Sequence, residues 1–144
     1  MSDKSIKDEL YDKRCALQKM VARFKENLQQ YKHPSYDEAN TRVDFIDEFF
    51  KVLGWDVSNK EGYAEQYREV VREDRLHING ACKAPDYSFR IGRERKFFVE
   101  AKKPEVNLKT ASEPAFQVRR YGYSAKLPLS ILTNFFEFAV YDAR

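Results

Sequence analysis

Apolar positions recur every seventh residue near the start of the chain, at Leu10, Leu17, Phe24 and Tyr31, with Val21 and Leu28 between them. That spacing keeps one helix face apolar, so an amphipathic helix is predicted from about residue 6 to 31, ended by His33-Pro34-Ser35. Three heptads suffice to pair with another chain, but a single stripe of this length more often packs on its own domain. A second helix is predicted to start after Ser35 and run to Leu53, burying Val43, Ile46, Phe49, Phe50 and Leu53, with Gly54 as its stop. Trp55-Asp56-Val57 reads as the start of a short strand. From residue 58 to 84 the pattern is poor, with Val70 and Val71 as the main apolar anchors, and no element is assigned.

At Asp86 the period changes to two. Tyr87, Phe89 and Ile91 alternate with polar positions, Gly92-Arg93-Glu94 turns the chain, and a return strand runs from Arg95 to Lys102, ended by Pro104. On that strand Phe97, Val99 and Ala101 share one face, and Phe98, Glu100 and Lys102 the other. Ser112 is a candidate N-cap for a helix with Pro114 in its first turn, continuing to about Lys126. Leu129 to Thr133 reads as a buried strand and Phe136 to Tyr141 as the next. The predicted order is α, α, β, hairpin, α, β, β, without repeats or a composition break. An α/β fold of one domain follows, with a helical arm over residues 1–34 and a core over 35–144.

Composition narrows the setting. At 144 residues the chain suits one core, and 34% charged residues with a mean hydropathy of −0.73 argue against membrane residence. The start, MSDKSIKDEL, has no apolar segment of a secretory signal, so a cytoplasmic protein is expected. Cys15 and Cys82 lie far apart and read as reduced thiols, and with His33 and His77 they are not at zinc-ligand spacing. The net charge is only +3, yet residues 90–126 carry +6 and the rest −3. A basic stretch of this kind suits a protein that meets a polyanion, although an ordinary solvated surface gives the same count.

Chemistry concentrates on the hairpin. Glu100 and Lys102 are two apart on a strand and leave one face of it together. A three-residue turn with Ile91 opposite Arg95 sets Asp86 opposite Glu100, where facing Cβ atoms lie about 4.5 to 5.5 Å apart. Two carboxylates so close repel unless a cation sits between them, and Mg²⁺ accepts such oxygens. The Ala101 carbonyl is a further candidate ligand, and the Lys102 ammonium suits a phosphate whose charge grows during hydrolysis.

Pro85-Asp86 followed by Glu100-Ala101-Lys102 resembles the PD-(D/E)xK nuclease superfamily. The wider phrase Phe98-Val99-Glu100-Ala101-Lys102-Lys103-Pro104 is similar to the N-terminal nuclease domain of type I restriction-enzyme R subunits and of restriction-modification fusion enzymes. The resemblance, over about Asp37 to Asp142, implies a restriction-endonuclease-like core: a mixed central β-sheet flanked by helices, here with an additional N-terminal helix. It implies a DNA endonuclease using Mg²⁺, for which Mn²⁺ can substitute, with Asp86, Glu100, Ala101 and a helix glutamate as metal ligands. Asp37 to Arg42, ahead of Leu53-Gly54-Trp55, looks like the segment that supplies this glutamate. Glu38 is the candidate, in competition with Asp44, Asp47 and Glu48. Gln117-x-x-x-Tyr121 is similar to the Q-x-x-x-Y element of RecB-like nucleases, which makes Gln117 a catalytic-site candidate that, with Tyr121 on the same helix face, orients a phosphate or a metal ligand; Lys103, Arg119, Arg120 and Tyr121 are then candidates for gripping DNA. Relatives of this kind are joined to methyltransferase or motor domains, so such a domain is expected in the same or a partner chain, this sequence being a piece of something larger.

Two other readings of the same residues stay open. One is a binding module with this fold and an idle site, which docks DNA or a partner. The other is an interaction domain assembled through the N-terminal helix.

Overall fold

A computed structural model describes residues 5–142, so the charged start at residues 1–4 and Ala143-Arg144, each part of a range assigned above, lie outside the described residues. The heptad stripe forms α1 (Ile6–Glu26), capped by the Ser5 hydroxyl, which accepts from the Asp8 amide. The single helix expected to residue 31 is broken at Asn27, whose side-chain amide donates back to the Arg23 carbonyl and competes with the helix ladder. One more turn follows, α2 (Leu28–Tyr31), and brings the Tyr31 ring onto Phe24 with centroids 5.6 Å apart. Phe24 is the buried anchor of α1, packed with Phe45 and Phe135, whereas Leu10 is 61% exposed. The stripe is therefore fully buried only at Phe24, with Leu17 and Met20 half-buried before it.

The second helix, expected to start after Ser35, is capped by Asp37, whose carboxylate accepts from the Asn40 amide. It runs as α3 (Glu38–Thr41), a π-turn over Arg42–Ile46, and α4 (Asp47–Val52). The wider turn puts Phe45, Ile46 and Asp47 all inside and rotates Val43 outward, to 63% exposure, against the expectation that it is buried. Leu53, also expected inside, lies past the last turn and is exposed. The strand expected at Trp55-Asp56-Val57 is a loop, because the Asp56 carboxylate accepts from the amides of Lys60 and Glu61 and closes the chain on itself.

Residues 58–84 hold more structure than the pattern disclosed. A 3₁₀ turn (Glu65–Tyr67) precedes β1 (Val70–Arg72), and a small hairpin joins β2 (Leu76–Ile78) to β3 (Ala81–Lys83). Its loop is Asn79-Gly80, both at positive φ, as a type I′ turn requires. The main hairpin comprises β4 (Tyr87–Ile91) and β5 (Glu94–Ala101). Its turn is tighter than expected: Gly92, at φ 64°, and Arg93 form the loop, and Ile91 faces Glu94. A bulge at Lys96 then shifts the register, so Phe89 faces Phe97 and Tyr87 faces Val99. Continued one step, that register sets Asp86 against Glu100.

Beyond β5 come α5 (Ser112–Ser124), β6 (Leu129–Thr133) and β7 (Phe138–Asp142). Ser112 is the first helical residue, not the N-cap, and Ala111 precedes it without a capping side chain; the helix stops two residues short of Lys126. The last strand starts at Phe138, because the Asn134 side chain accepts from the Glu137 amide and holds a turn there.

The five-stranded sheet has the order β1-β4-β5-β6-β7 and is antiparallel except for β5 with β6, which are parallel and linked through α5. It is the mixed sheet flanked by helices that was expected. One face, with Tyr87, Phe89, Val99 and Ala101, packs against Ile46 and Phe50 of the second helix. The other packs Phe98 and Leu132 against Tyr121 and Val118 of α5. Among the described residues no helix is long and apolar enough to cross a membrane.

Candidate active site

The end of the main hairpin brings the carboxyl groups together through its own backbone. The Asp86 amide donates to Glu100 Oε1 at 2.9 Å, and the Ala101 amide donates to Asp86 Oδ2 at 2.7 Å. Each carboxyl is thus held by the strand that carries the other. The second helix crosses this end of the sheet and adds Glu38 and Arg42, one turn apart. Arg42 Nη1 lies 3.1 Å from Glu38 Oε1 and 3.2 Å from Asp86 Oδ1, bridging the two acids. Lys102 completes the group, with Nζ 3.9 Å from Glu38 Oε2.

Electrostatics in this group are unbalanced toward the acids. Glu100 is buried, and desolvation, followed by hydrogen bonding with Asp86 and its charge, pushes the Glu100 carboxyl up to about 9. Burial and then the charge of Asp86 also raise Glu38, against the opposing pull of Lys102 and Arg42. The Asp86–Glu100 pair presents carboxylate oxygens of the kind a hard divalent cation accepts. Among the described residues no three His, Cys, Asp or Glu side chains gather as a ligand group, and Glu38 reaches the pair through Arg42. The backbone atom of Ala101 in use is its amide; the amide of Lys102 is bonded to the Thr133 carbonyl.

Beside Lys102 opens a cleft of about 510 Å³, walled by α5 and by the small hairpin. Gln117, Arg120 and Tyr121 line it, as does Lys83 from β3, which the sequence reading left unassigned. Gln117 Nε2 donates to the Tyr121 hydroxyl at 2.8 Å, as expected of residues one turn apart on one helix face. Arg119 is not brought to the cleft; its guanidinium stacks over the Tyr141 ring on the other side of α5. Lys103 pairs with Glu105 at 2.9 Å.

The three acids that competed with Glu38 have partners elsewhere. Asp44 accepts from the Tyr36 hydroxyl, Glu48 pairs with Lys51, and Asp47 accepts from Arg72 and Tyr87. Arg42 was missed in the sequence reading, although its position four residues after Glu38 marks a helical ion pair.

A comparison with curated proteins gives a close match to this chain. It is 45% identical over 133 residues, covering 91% of the chain, to the type II restriction enzyme and methyltransferase RM.Eco57I of Escherichia coli. The chain is related to a restriction-modification enzyme. It spans 13% of the length of that relative, so the similarity concerns a small part of a much larger protein that joins the two activities in one name. No family model matches the chain, and no solved structure matches it.

Proposed function

We propose that this chain is a divalent-metal-dependent DNA endonuclease module of the PD-(D/E)xK type, serving a restriction-modification enzyme in the cytoplasm. The observation that carries the reading is the reciprocal clasp of Asp86 and Glu100 with Lys102 and Glu38 beside it, in a chain similar to a restriction enzyme. Asp86 and Glu100 would hold Mg²⁺, or Mn²⁺ in its place, with the Ala101 carbonyl and Glu38 as further ligands. Such a cation supplies a water of lowered pKa and charge for the phosphate oxygens.

The chain's own residues do the remainder. Lys102 offers an ammonium donor to the scissile phosphate as its charge grows, and Glu38 holds that ammonium toward the carboxyl pair. The cleft beside it, with Arg120, Lys83, Gln117 and Tyr121, receives the DNA backbone through charge and hydrogen bonds. Lys103, next to Lys102 in the chain and paired with Glu105, is a further candidate for a phosphate contact. Nothing in these contacts reads base sequence, so target choice falls to a methyltransferase or motor domain in the same or a partner chain. The helical arm and the core act as one domain, since Phe24 packs into the core through Phe45 and Phe135.

Nicking of a supercoiled plasmid tests the reading. Mg²⁺ or Mn²⁺ should support nicking by the unmodified chain, while Asp86→Asn and Lys102→Ala should each lower it by about a hundredfold or more. DNA binding that needs no metal, with no nicking in any divalent cation, would return the idle binding module in its place.

A further inference from the structure

The site already contains a cation, and its position is specific. Asp86 Oδ2 accepts from the Ala101 amide, and Glu100 Oε1 accepts from the Asp86 amide. Asp86 Oδ1 is the oxygen left over, and Arg42 Nη1 sits on it at 3.2 Å while also touching Glu38 at 3.1 Å. A metal taking Asp86 through that oxygen meets the guanidinium first. Arg42 is 26% exposed in its side chain, so it is neither buried in the core nor free in solvent. It also opens the π-turn, a local widening of the helix that often accompanies functional positions.

We infer that Arg42 is the resident counter-cation of this site: it holds Asp86 and Glu38 in the metal-free chain, yields Asp86 to the metal, and then turns its guanidinium to a DNA phosphate. The inference rests on the metal-dependent reading above. Three features make the exchange workable. Glu38 Oε1, one helical turn away, stays with Arg42 as a pivot when Asp86 is taken, which leaves Glu38 Oε2 for the cation. One nitrogen serves both carboxylates, while a guanidinium carries five donors in a planar fork suited to phosphate. Finally, without Arg42 the charges of Glu38 and Asp86 would oppose each other with only Lys102 between them, so a metal-free site needs it for order. Arg42 is in this sense a positioning residue that becomes a phosphate ligand.

Calorimetric titration of Mn²⁺ into the full chain, without DNA, is the first measurement. Arg42→Gln should bind Mn²⁺ roughly fivefold or more tightly than the unmodified chain, because the competing cation is gone. In Ca²⁺, where cleavage is not the readout, the same variant should bind a short duplex more weakly, with the salt slope of log affinity reduced by about one. Unchanged or weaker Mn²⁺ binding by a folded Arg42→Gln overturns the inference. Asp86→Asn separates the two readings: if it binds Mn²⁺ like the unmodified chain, the metal site itself falls; if it loses Mn²⁺ while Arg42→Gln shows no gain, only the role of Arg42 falls. Side-chain ¹⁵N resonances of the unmodified chain give an answer independent of any variant. The Arg42 guanidinium signal should move on adding Ca²⁺ and again on adding duplex, and a signal indifferent to both refutes the exchange.

Discussion

Replacing Asp47 with alanine should destabilise the chain more than a usual helix-surface substitution, by about 1–4 kcal/mol. Asp47 is buried on α4 and accepts from Arg72 Nη1 and Nη2 at 3.2 and 2.7 Å and from the Tyr87 hydroxyl at 2.6 Å. The Tyr87 ring is wholly buried, and burial followed by the bond to Asp47 drives its phenol upward, so the hydroxyl acts only as a donor. Losing its acceptor leaves that hydroxyl unsatisfied, at about 1–3 kcal/mol. Arg72 is 46% exposed in its side chain and falls back on water, adding about 1 kcal/mol at most. Tyr87→Phe removes the orphan together with the bond and leaves Asp47 its two contacts to Arg72, so it should cost only about 1 kcal/mol. Urea unfolding of both single variants and the double variant measures the coupling. The double variant should be more stable than the sum of the singles predicts, by about 1 kcal/mol or more. Additive costs, or a loss below about 1 kcal/mol for Asp47→Ala, would show that the hydroxyl finds another partner and that this link is not what ties α4 to β4.

Phe24→Ala should cost about 3–5 kcal/mol in the same assay, because the ring is packed on Phe45, Phe135 and Tyr31, whereas Leu10→Ala on the exposed part of α1 should change stability by less than about 0.5 kcal/mol. Asp74 sets a pH dependence. Burial alone would raise its carboxyl, but hydrogen bonds from Arg95 and Arg90 and their charges outweigh it and hold it below its ordinary value. A depressed folded value contributes stability that is full above the unfolded pKa, about 3.9, and is lost as pH falls through the folded one. The stability gap between the unmodified chain and Asp74→Asn should therefore be constant from neutral pH to about pH 5 and shrink below about pH 4; a gap that widens on acidification would contradict it. Arg120→Ala should weaken DNA binding and reduce its salt slope by about one, while Arg119→Ala should leave the slope unchanged, since only Arg120 lines the cleft. Equal effects from the two would place the DNA path elsewhere.

The elements with strong periodicity were legible in the sequence: the main hairpin, α5, β6 and much of the helical segments follow from apolar spacing. The facing of Asp86 and Glu100 was also legible, although by a route the molecule does not take. A tighter Gly92-Arg93 turn and the bulge at Lys96 offset one another, and the register near Asp86 returns to the expected one. The small hairpin was hidden because β2 and β3 are three residues each, too short for alternation to register. Its Asn79-Gly80 turn was the available signal, since that pair tolerates the positive φ that other residues resist. The π-turn had no such mark. A wider helical turn is chosen by packing, here of Phe45 and Ile46 together, and single-residue periodicity assigns Val43 to the wrong side.

The charged groups divide into two kinds, and the division argues for where the chemistry lies. Asp74 is saturated by two arginines from the hairpin, and Asp47 by Arg72 and Tyr87; both acids are buried with their oxygens committed. Such groups fix geometry and leave nothing for a ligand. At the hairpin's end, three carboxyl groups, Glu38, Asp86 and Glu100, face two cations, Arg42 and Lys102, and the most buried of the three carries a strongly raised pKa. Asp74 is given two arginines and is held low, whereas Glu100 has no such partner and is raised instead. A carboxyl pair held by backbone amides at the hairpin's end, beside a cleft carrying Lys83 and Arg120, is what supports the proposal that a cation and a polyanion meet here.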